Sequence, residues 1–267
     1  MSTGLGDEQL WLSATNDNTG TSTAFNDQSG QGNNGTASGT LVVADTSEGG
    51  TYAYDFDGTN DYVTMGDVLD TQIWTSGLWS VAGWLKVKAG QTQANLIMKY
   101  FGNNREFIVD VNDRGSGIKA EFVYAGAGDA SIIRFLVGDT TLNANQWYHI
   151  AVEFDNSRTS DEMGKIWVDG VAQNTTVLSS AGTVTNIPNL SASLSMGAAV
   201  QGASSGGYRS GYSDDIRAYD RALTQAEITH LATSRGIEGS PGGPPASVFF
   251  NPFKSHTFHT LTGKRIR

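Results

Sequence analysis

The chain has 267 residues, 38% hydrophobic and 10% aromatic, enough for one sizeable core. Only 16% are charged while 33 are glycine, the balance of a turn-rich all-β protein and not of a disordered one. A net charge of -10 argues against a general nucleic-acid binder, and the absence of Cys excludes disulfides, zinc–thiolate sites and Cys nucleophiles.

The first residues lack a basic region followed by a long apolar run, so no cleavable signal peptide is expected. No window approaches 18 apolar residues, which removes a transmembrane helix and a membrane partner from the expectations. Residues 1–50 are polar and Gly-rich, with apolar patches at 10–12 and 41–43. Between them, D-Q-S-G-Q-G-N-N-G-T at 27–36 reads as a compact turn region. In 52–65, alternating aromatics around Asp57 and Gly58 predict a strand, a tight turn and a second strand. Strands follow at 79–87, 95–100, 106–111, 118–124 and 131–137, and 147–154 is the strongest alternating run. A polar turn at 155–164 leads to 165–168, then Asp169 and Gly170 mark a hairpin with its return strand from Val171.

Short strands at 194–196 and 215–219 complete a set whose close spacing predicts a sandwich or jelly roll. In 215–219, Ile216 and Ala218 share one face while Arg217 and Tyr219 share the other. Thr224 and Glu227 then form a capping box, with Leu223 and Ile228 at the staple positions around it. Ile228, Leu231 and Ala232 give an apolar stripe and Gly236 a stop, so one helix is expected over 224–235. Residues 239–245, G-S-P-G-G-P-P, read as a linker. The stretch 246–267 carries four basic residues and no acid, which leaves 13 basic and 27 acidic residues before it, a net of -14.

Four blocks stand in order: 27–36; Y-D-F-D-G-T-N-D-Y-V at 54–63; W-S-V-A-G-W at 79–84 with W-Y-H-I-A-V-E-F at 147–154 and K-I-W-V-D-G at 165–170; and 211–228. Over residues 9–236 they resemble the laminin G-like domains of concanavalin-A-like lectin–glucanase jelly rolls. The resemblance implies an all-β, two-sheet antiparallel jelly-roll sandwich with one short C-terminal helix, in a domain over 1–238. Beyond the family pattern and the linker, the composition of 246–267 leads to the expectation of an extended C-terminal arm. Trp79, Trp84, Trp147 and Trp167 are expected to pack between the sheets. Trp11 and Trp74 lie in less regular sequence and are the better candidates for exposure.

Such jelly rolls include glycoside hydrolases, so catalysis has to be weighed. Laminarinase-like relatives carry E-x-D-x-E or E-x-D-x-x-E on one strand face. Glu153 and Asp155 begin that pattern, but Ser157 and Arg158 stand where a third acid belongs, which leaves solvated turn acids as the expectation. His149 shares a face with Trp147 and is expected to satisfy a local hydrogen bond, not to act as a base. No G-x-S-x-G, P-loop or dinucleotide motif is present, and the chain is read as a non-enzyme.

For calcium, Asp27, Asn33 and Asn34 among glycines offer oxygen ligands, and Asp57 occupies a turn. The resemblance implies one structural Ca2+ joining an N-terminal turn to the acidic pair before the last strand, a position Asp215 matches. The same acids suit turn capping. For ligand binding at the sandwich rim, Asn104, Arg105, Tyr208, Arg209 and Tyr212 have side chains suited to sugar stacking and hydroxyl bonding.

Phe249, Phe250, Phe253 and Phe258, with Lys254, Arg265 and Arg267, suit an arm that orders on an acidic protein surface such as a neighbouring copy. The expectation is a non-catalytic binding protein on a bacteriophage virion surface, docked by the arm, homo-oligomeric, with the sandwich facing host glycans. The alternatives are an extracellular bacterial carbohydrate-binding or adhesion module and a divergent glycoside hydrolase.

Overall fold

The computed structural model describes residues 5–15, 17, 24–39, 41–126, 129–179, 181–233 and 235. The linker at 239–245 and the arm residues Phe249, Phe250, Phe253, Lys254, Phe258, Arg265 and Arg267 lie outside the described residues, as does Gly236.

Alternation of apolar side chains builds two antiparallel sheets. The first runs, in hydrogen-bonded order, Val171–Ala172, Gly164–Val168, Trp147–Asp155, Leu78–Val87, Ser210–Tyr219, Tyr52–Asp57 and Leu41–Ala44. Leu10–Leu12 also pairs with Ser210–Tyr219. The second runs Thr176–Ser179, Asp129–Val137, Ile118–Gly126, Asn104–Asp113, Gln93–Phe101, Leu194–Met196, Tyr62–Gly66, Gly35–Ser38 and Ala24–Phe25. A small hairpin, Ala199–Gln201 with Ser204–Gly206, and one helix, α1 (Gln225–Leu231), complete the elements used below. This is the expected two-sheet antiparallel jelly-roll sandwich with one short helix.

The two inner faces share one core. Trp79, Val81 and Leu85 from the first sheet meet Phe107, Val109 and Phe122 from the second. Trp79 stacks on Phe154 at 5.6 Å and lies 5.1 Å from Phe107, between centroids. Of the four tryptophans expected between the sheets, only Trp79 is there. Trp84 and Trp147 pack with Ala53 on the outer face of the first sheet, and Trp167 packs there against Leu223, Ile228 and Leu231 around α1. That outer face is itself covered, so both sides of Leu78–Val87 and Trp147–Asp155 are buried. Period-two alternation separates the faces but does not say which one meets the other sheet. Trp11 and Trp74, expected to be exposed, are 2% and 0% exposed.

The turn at Asp169 and Gly170 closes a hairpin as expected, with φ of 49° and 78°, the left-handed pair that a type I′ turn demands. The turn at Asp57 and Gly58 does not. Tyr52–Asp57 belongs to the first sheet and Tyr62–Gly66 to the second, so this segment crosses between sheets. Its local chemistry is that of a tight turn: Asp57 Oδ1 accepts from the Thr59 N–H at 2.6 Å. Each flanking strand, however, finds its partners elsewhere and buries Tyr54 and Phe56, or Val63 and Met65, in the shared core.

Both arms of the Thr224–Glu227 capping box form, and Leu223 and Ile228 meet in one apolar cluster. The helix ends at Leu231, short of the expected 235. Arg235 explains the early end: its N–H donates to Glu48 O at 2.7 Å and its guanidinium enters the protein beside Asp45 and Asp214.

Candidate functional site

A cavity of about 480 Å³ opens at the sandwich rim. Gln9, Gln31 and Asn33 line one side, the stretch 67–72 another, and Asn189 a third. The volume suits a small ligand. The walls are amides, carboxylates and one hydroxyl, with Val68 and Leu69 as the apolar part.

The 67–72 wall is built under constraint. Leu69 holds φ of 64°, a left-handed conformation that costs a non-glycine residue on the order of 1–2 kcal/mol. A single π-helical turn, Asp70–Trp74, follows it. Such turns and such strain concentrate at binding sites. Trp74 pins the turn to the core: its indole N–H donates to Val68 O at 3.0 Å and its ring lies 4.6 Å from Phe107.

Behind the same wall sits Lys99, wholly buried. Its ammonium lies 2.6 Å from Asp67 Oδ1, 2.6 Å from Asp70 Oδ1 and 3.0 Å from Glu106 Oε1, and donates to Leu190 O at 3.3 Å. Burial works against the lysine's charge, but the three carboxyl groups outweigh it and hold its pKa above the ordinary value. Burial pushes Glu106 up to about 8 despite Lys99, and burial also raises Asp70. Lys99 therefore fixes the two pocket carboxylates from behind and leaves their outward edges to the cavity.

The expected ligand residues do not converge on this cavity. Asn104 Nδ2 donates to Ser191 Oγ at 3.3 Å, two residues along the chain from Asn189. Arg105 bonds Gly102 O and lies 5.8 Å from the Tyr100 ring centroid. Tyr208 pairs with Ser205 Oγ at 2.7 Å, and Arg209 follows with its Nε buried and unpartnered among the described residues. Tyr212 sits on the other sheet's outer face, beside Trp147, with Lys86 Nζ 4.6 Å from its ring. Of the residues singled out in the sequence, only Asn33 lines the cavity. Gln9, Gln31, Asp67, Asp70, Gln72 and Asn189 were missed; Lys99, a charged residue within the apolar strand 95–100, is a signal that could have led there but was not read.

Comparison with known proteins places the fold. The family described as the concanavalin A-like lectin/glucanases superfamily matches residues 57–229. The chain belongs to this superfamily. No curated protein matches the sequence. Among solved structures, it is similar to domain 4 of AbnA, a GH43 extracellular arabinanase from Geobacillus stearothermophilus, in complex with arabinotriose. That likeness has a TM-score of 0.56 and 18% identity over 87% of this chain and 100% of that one. It is also similar to the binding domains of botulinum neurotoxin serotypes C1 and D, with TM-scores of 0.56 and 0.54 and identities of 12% and 13%. Those matches cover 85% of this chain and 51% of each of theirs.

The residues expected to hold a calcium ion are already engaged. Asp27 Oδ1 accepts the Trp11 and Ser29 N–H groups, both at 3.0 Å, and its Oδ2 accepts from Asn33 N–H at 2.9 Å. Asn33 Nδ2 donates to Gln9 O. Asp215, with φ of 52°, is buried; its Oδ1 accepts the Trp11 indole N–H at 2.7 Å and Arg217 Nε at 3.0 Å, while Arg217 Nη2 donates to both oxygens. The N-terminal turn thus meets the acidic pair through Trp11. Asp57 is engaged in its own turn. No group of three His, Cys, Asp or Glu side chains suited to a metal occurs among the described residues. Donor N–H groups already surround these carboxylates, so the set does not fit a calcium ion.

The other titratable candidates are ion-paired or enclosed. Glu153 is 5% exposed, not solvated as expected; Lys165 and Arg158 accompany it, with Arg158 also reaching Asp155 at 3.0 Å. His149 does share the Trp147 face, but its Nδ1 has no partner among the described residues. Its ring meets Trp84 edge-on at 5.5 Å, and burial, helped by Arg217, drives its pKa down to about 3. A base so depressed stays neutral and enclosed.

Proposed function

We propose that this chain is a non-catalytic carbohydrate-binding domain that holds a sugar in the rim cavity. The observation that carries the reading is the cavity itself: about 480 Å³, walled by amides and carboxylates, with one wall held in a strained turn. Side-chain amides both donate and accept, which suits the hydroxyls of a glycan. The likeness to an arabinanase domain in complex with arabinotriose supports the same reading at the level of fold. Glu153 is tied to Arg158 and Asp215 to Arg217, which supports a binding role over hydrolysis at these acids.

The test is a glycan panel read by calorimetry, with Asn189→Trp to fill the cavity. Micromolar binding that this exposed substitution abolishes is expected. Binding that survives it moves the site elsewhere. The arm at 246–267 is proposed to dock the domain onto an assembly, a bacteriophage particle being the setting in view. Its basic, aromatic make-up against the acidic remainder supports this. Sedimentation of the full chain against a chain lacking 246–267 tests it: unchanged self-association and particle attachment would remove the arm's role.

A further inference from the structure

We propose that the rim cavity selects an amino sugar carrying a free primary amine over neutral and acidic sugars. This rests on the cavity being the glycan site. The charged side chains that line it are Asp67 and Asp70, and among the described residues no Lys, Arg or His joins them. The side chain of Asp67 is 44% exposed, within reach of a ligand. Lys99, the nearest cation, has no exposed side-chain surface and spends its ammonium on Asp67, Asp70, Glu106 and Leu190 O.

A ligand entering the cavity thus meets negative charge and amide dipoles but no exposed positive charge. An ammonium offers three donors and no acceptor, which matches carboxylate oxygens and rotatable amide carbonyls. A uronate or sulfated sugar would set its charge against two carboxylates that the single ammonium of Lys99, enclosed behind them, compensates only in part. The field of the body acts in the same sense, since residues before 246 carry 13 basic and 27 acidic side chains. A divalent cation fares worse than an ammonium here, because Lys99 already stands 2.6 Å from an oxygen of each carboxylate.

The probes are three hexasaccharides: deacetylated chitooligosaccharide, its fully N-acetylated counterpart and oligogalacturonate, titrated at about pH 6 at low salt. The amine form is expected to bind roughly five- to tenfold more tightly than the N-acetylated form. The advantage should shrink as salt rises. Asp67→Asn should erase it, with the fold of the variant checked by its urea midpoint and tryptophan fluorescence; Asn189→Trp should block both forms. Equal affinity for the amine and N-acetylated forms overturns the inference and leaves the glycan reading standing. So does oligogalacturonate binding that Asn189→Trp blocks. If no glycan of a broad panel binds, the glycan reading falls and this inference with it.

Discussion

Replacing Arg235 with alanine should be among the most damaging single changes in this protein. The guanidinium is wholly buried. It reaches Asp214 Oδ2 at 3.3 Å and Asp45 Oδ1 at 3.2 Å, and donates to Ser47 O at 2.8 and 3.0 Å, Tyr52 O at 3.0 Å and Asp45 O at 2.5 Å. It also stacks 4.0 Å from the Trp147 ring centroid. Removing it leaves an enclosed carboxylate at Asp214, and breaking a buried pair from one side costs about 3–5 kcal/mol. The deserted carbonyls add to that. The loss should also depend on pH. Burial and the charge of Asp215 already push Asp214 up to about 7, and without Arg235 it climbs further. A raised carboxyl pKa favours the folded state at low pH and loses that benefit as pH rises through it. Urea unfolding followed by tryptophan fluorescence should therefore show a loss of about 3–5 kcal/mol at pH 8.5, and about 1–2 kcal/mol less at pH 5.5. Gly50→Ala offers an independent probe, since its methyl would lie 2.5 Å from the Arg235 guanidinium carbon. A loss below about 1 kcal/mol at pH 8.5, or one that grows on acidification, refutes the reasoning.

His149 should make the fold acid-labile. Its folded pKa is about 3 against an ordinary 6.5, so the unfolded chain binds the extra proton and stability falls as pH drops through that window. His149→Phe should flatten the decline by up to roughly 4 kcal/mol between pH 6.5 and 3, read from urea midpoints; an unchanged slope would show that the imidazole is not held neutral. Millimolar EDTA or Ca2+ should leave the melting temperature within about 1 °C of the untreated value, because N–H donors occupy Asp27 and Asp215; a rise of several degrees with Ca2+ would contradict this. Thr224→Ala removes the hydroxyl of the α1 cap and should cost about 1 kcal/mol, measured the same way, with a value near zero counting against the capping box.

The elements that could be read from the chain are those whose information is local. Asp169 and Gly170 need no distant partner to specify their turn, and Thr224 and Glu227 bond each other. Residues 147–154 alternate strictly enough to be a strand in any context. What escaped is set by partners far along the chain. The turn at Asp57 serves a hairpin or a crossing equally well, and only the pairing of Ser210–Tyr219 with Tyr52–Asp57 decides. Trp84 and Trp147 look like inter-sheet residues until the outer face proves to be covered as well. The cavity draws on residues 9, 31, 33, 67–72 and 189, which lie far apart in the chain and carry no motif. Asp67 and Asp70 gain meaning only once Lys99 is seen to enter behind them.

Lys99, Arg217 and Arg235 follow one scheme, in which a side-chain cation stands where a divalent ion could otherwise join carboxylates. Each is at most 1% exposed at its side chain, and each gathers carboxylates from separate parts of the chain: Asp67, Asp70 and Glu106; Glu8 and Asp215; Asp45 and Asp214. A divalent ion in such a place would make stability follow its free concentration. A tethered ammonium or guanidinium supplies the charge at fixed stoichiometry, and the proton becomes the ion to which the fold responds. At Arg217 and Arg235 the carboxylates are enclosed and the arrangement serves closure alone. At Lys99 the cation is enclosed while Asp67 reaches outward, so the same scheme leaves one carboxylate edge available to a ligand. That difference in exposure, not a difference in chemistry, separates the site from the two staples.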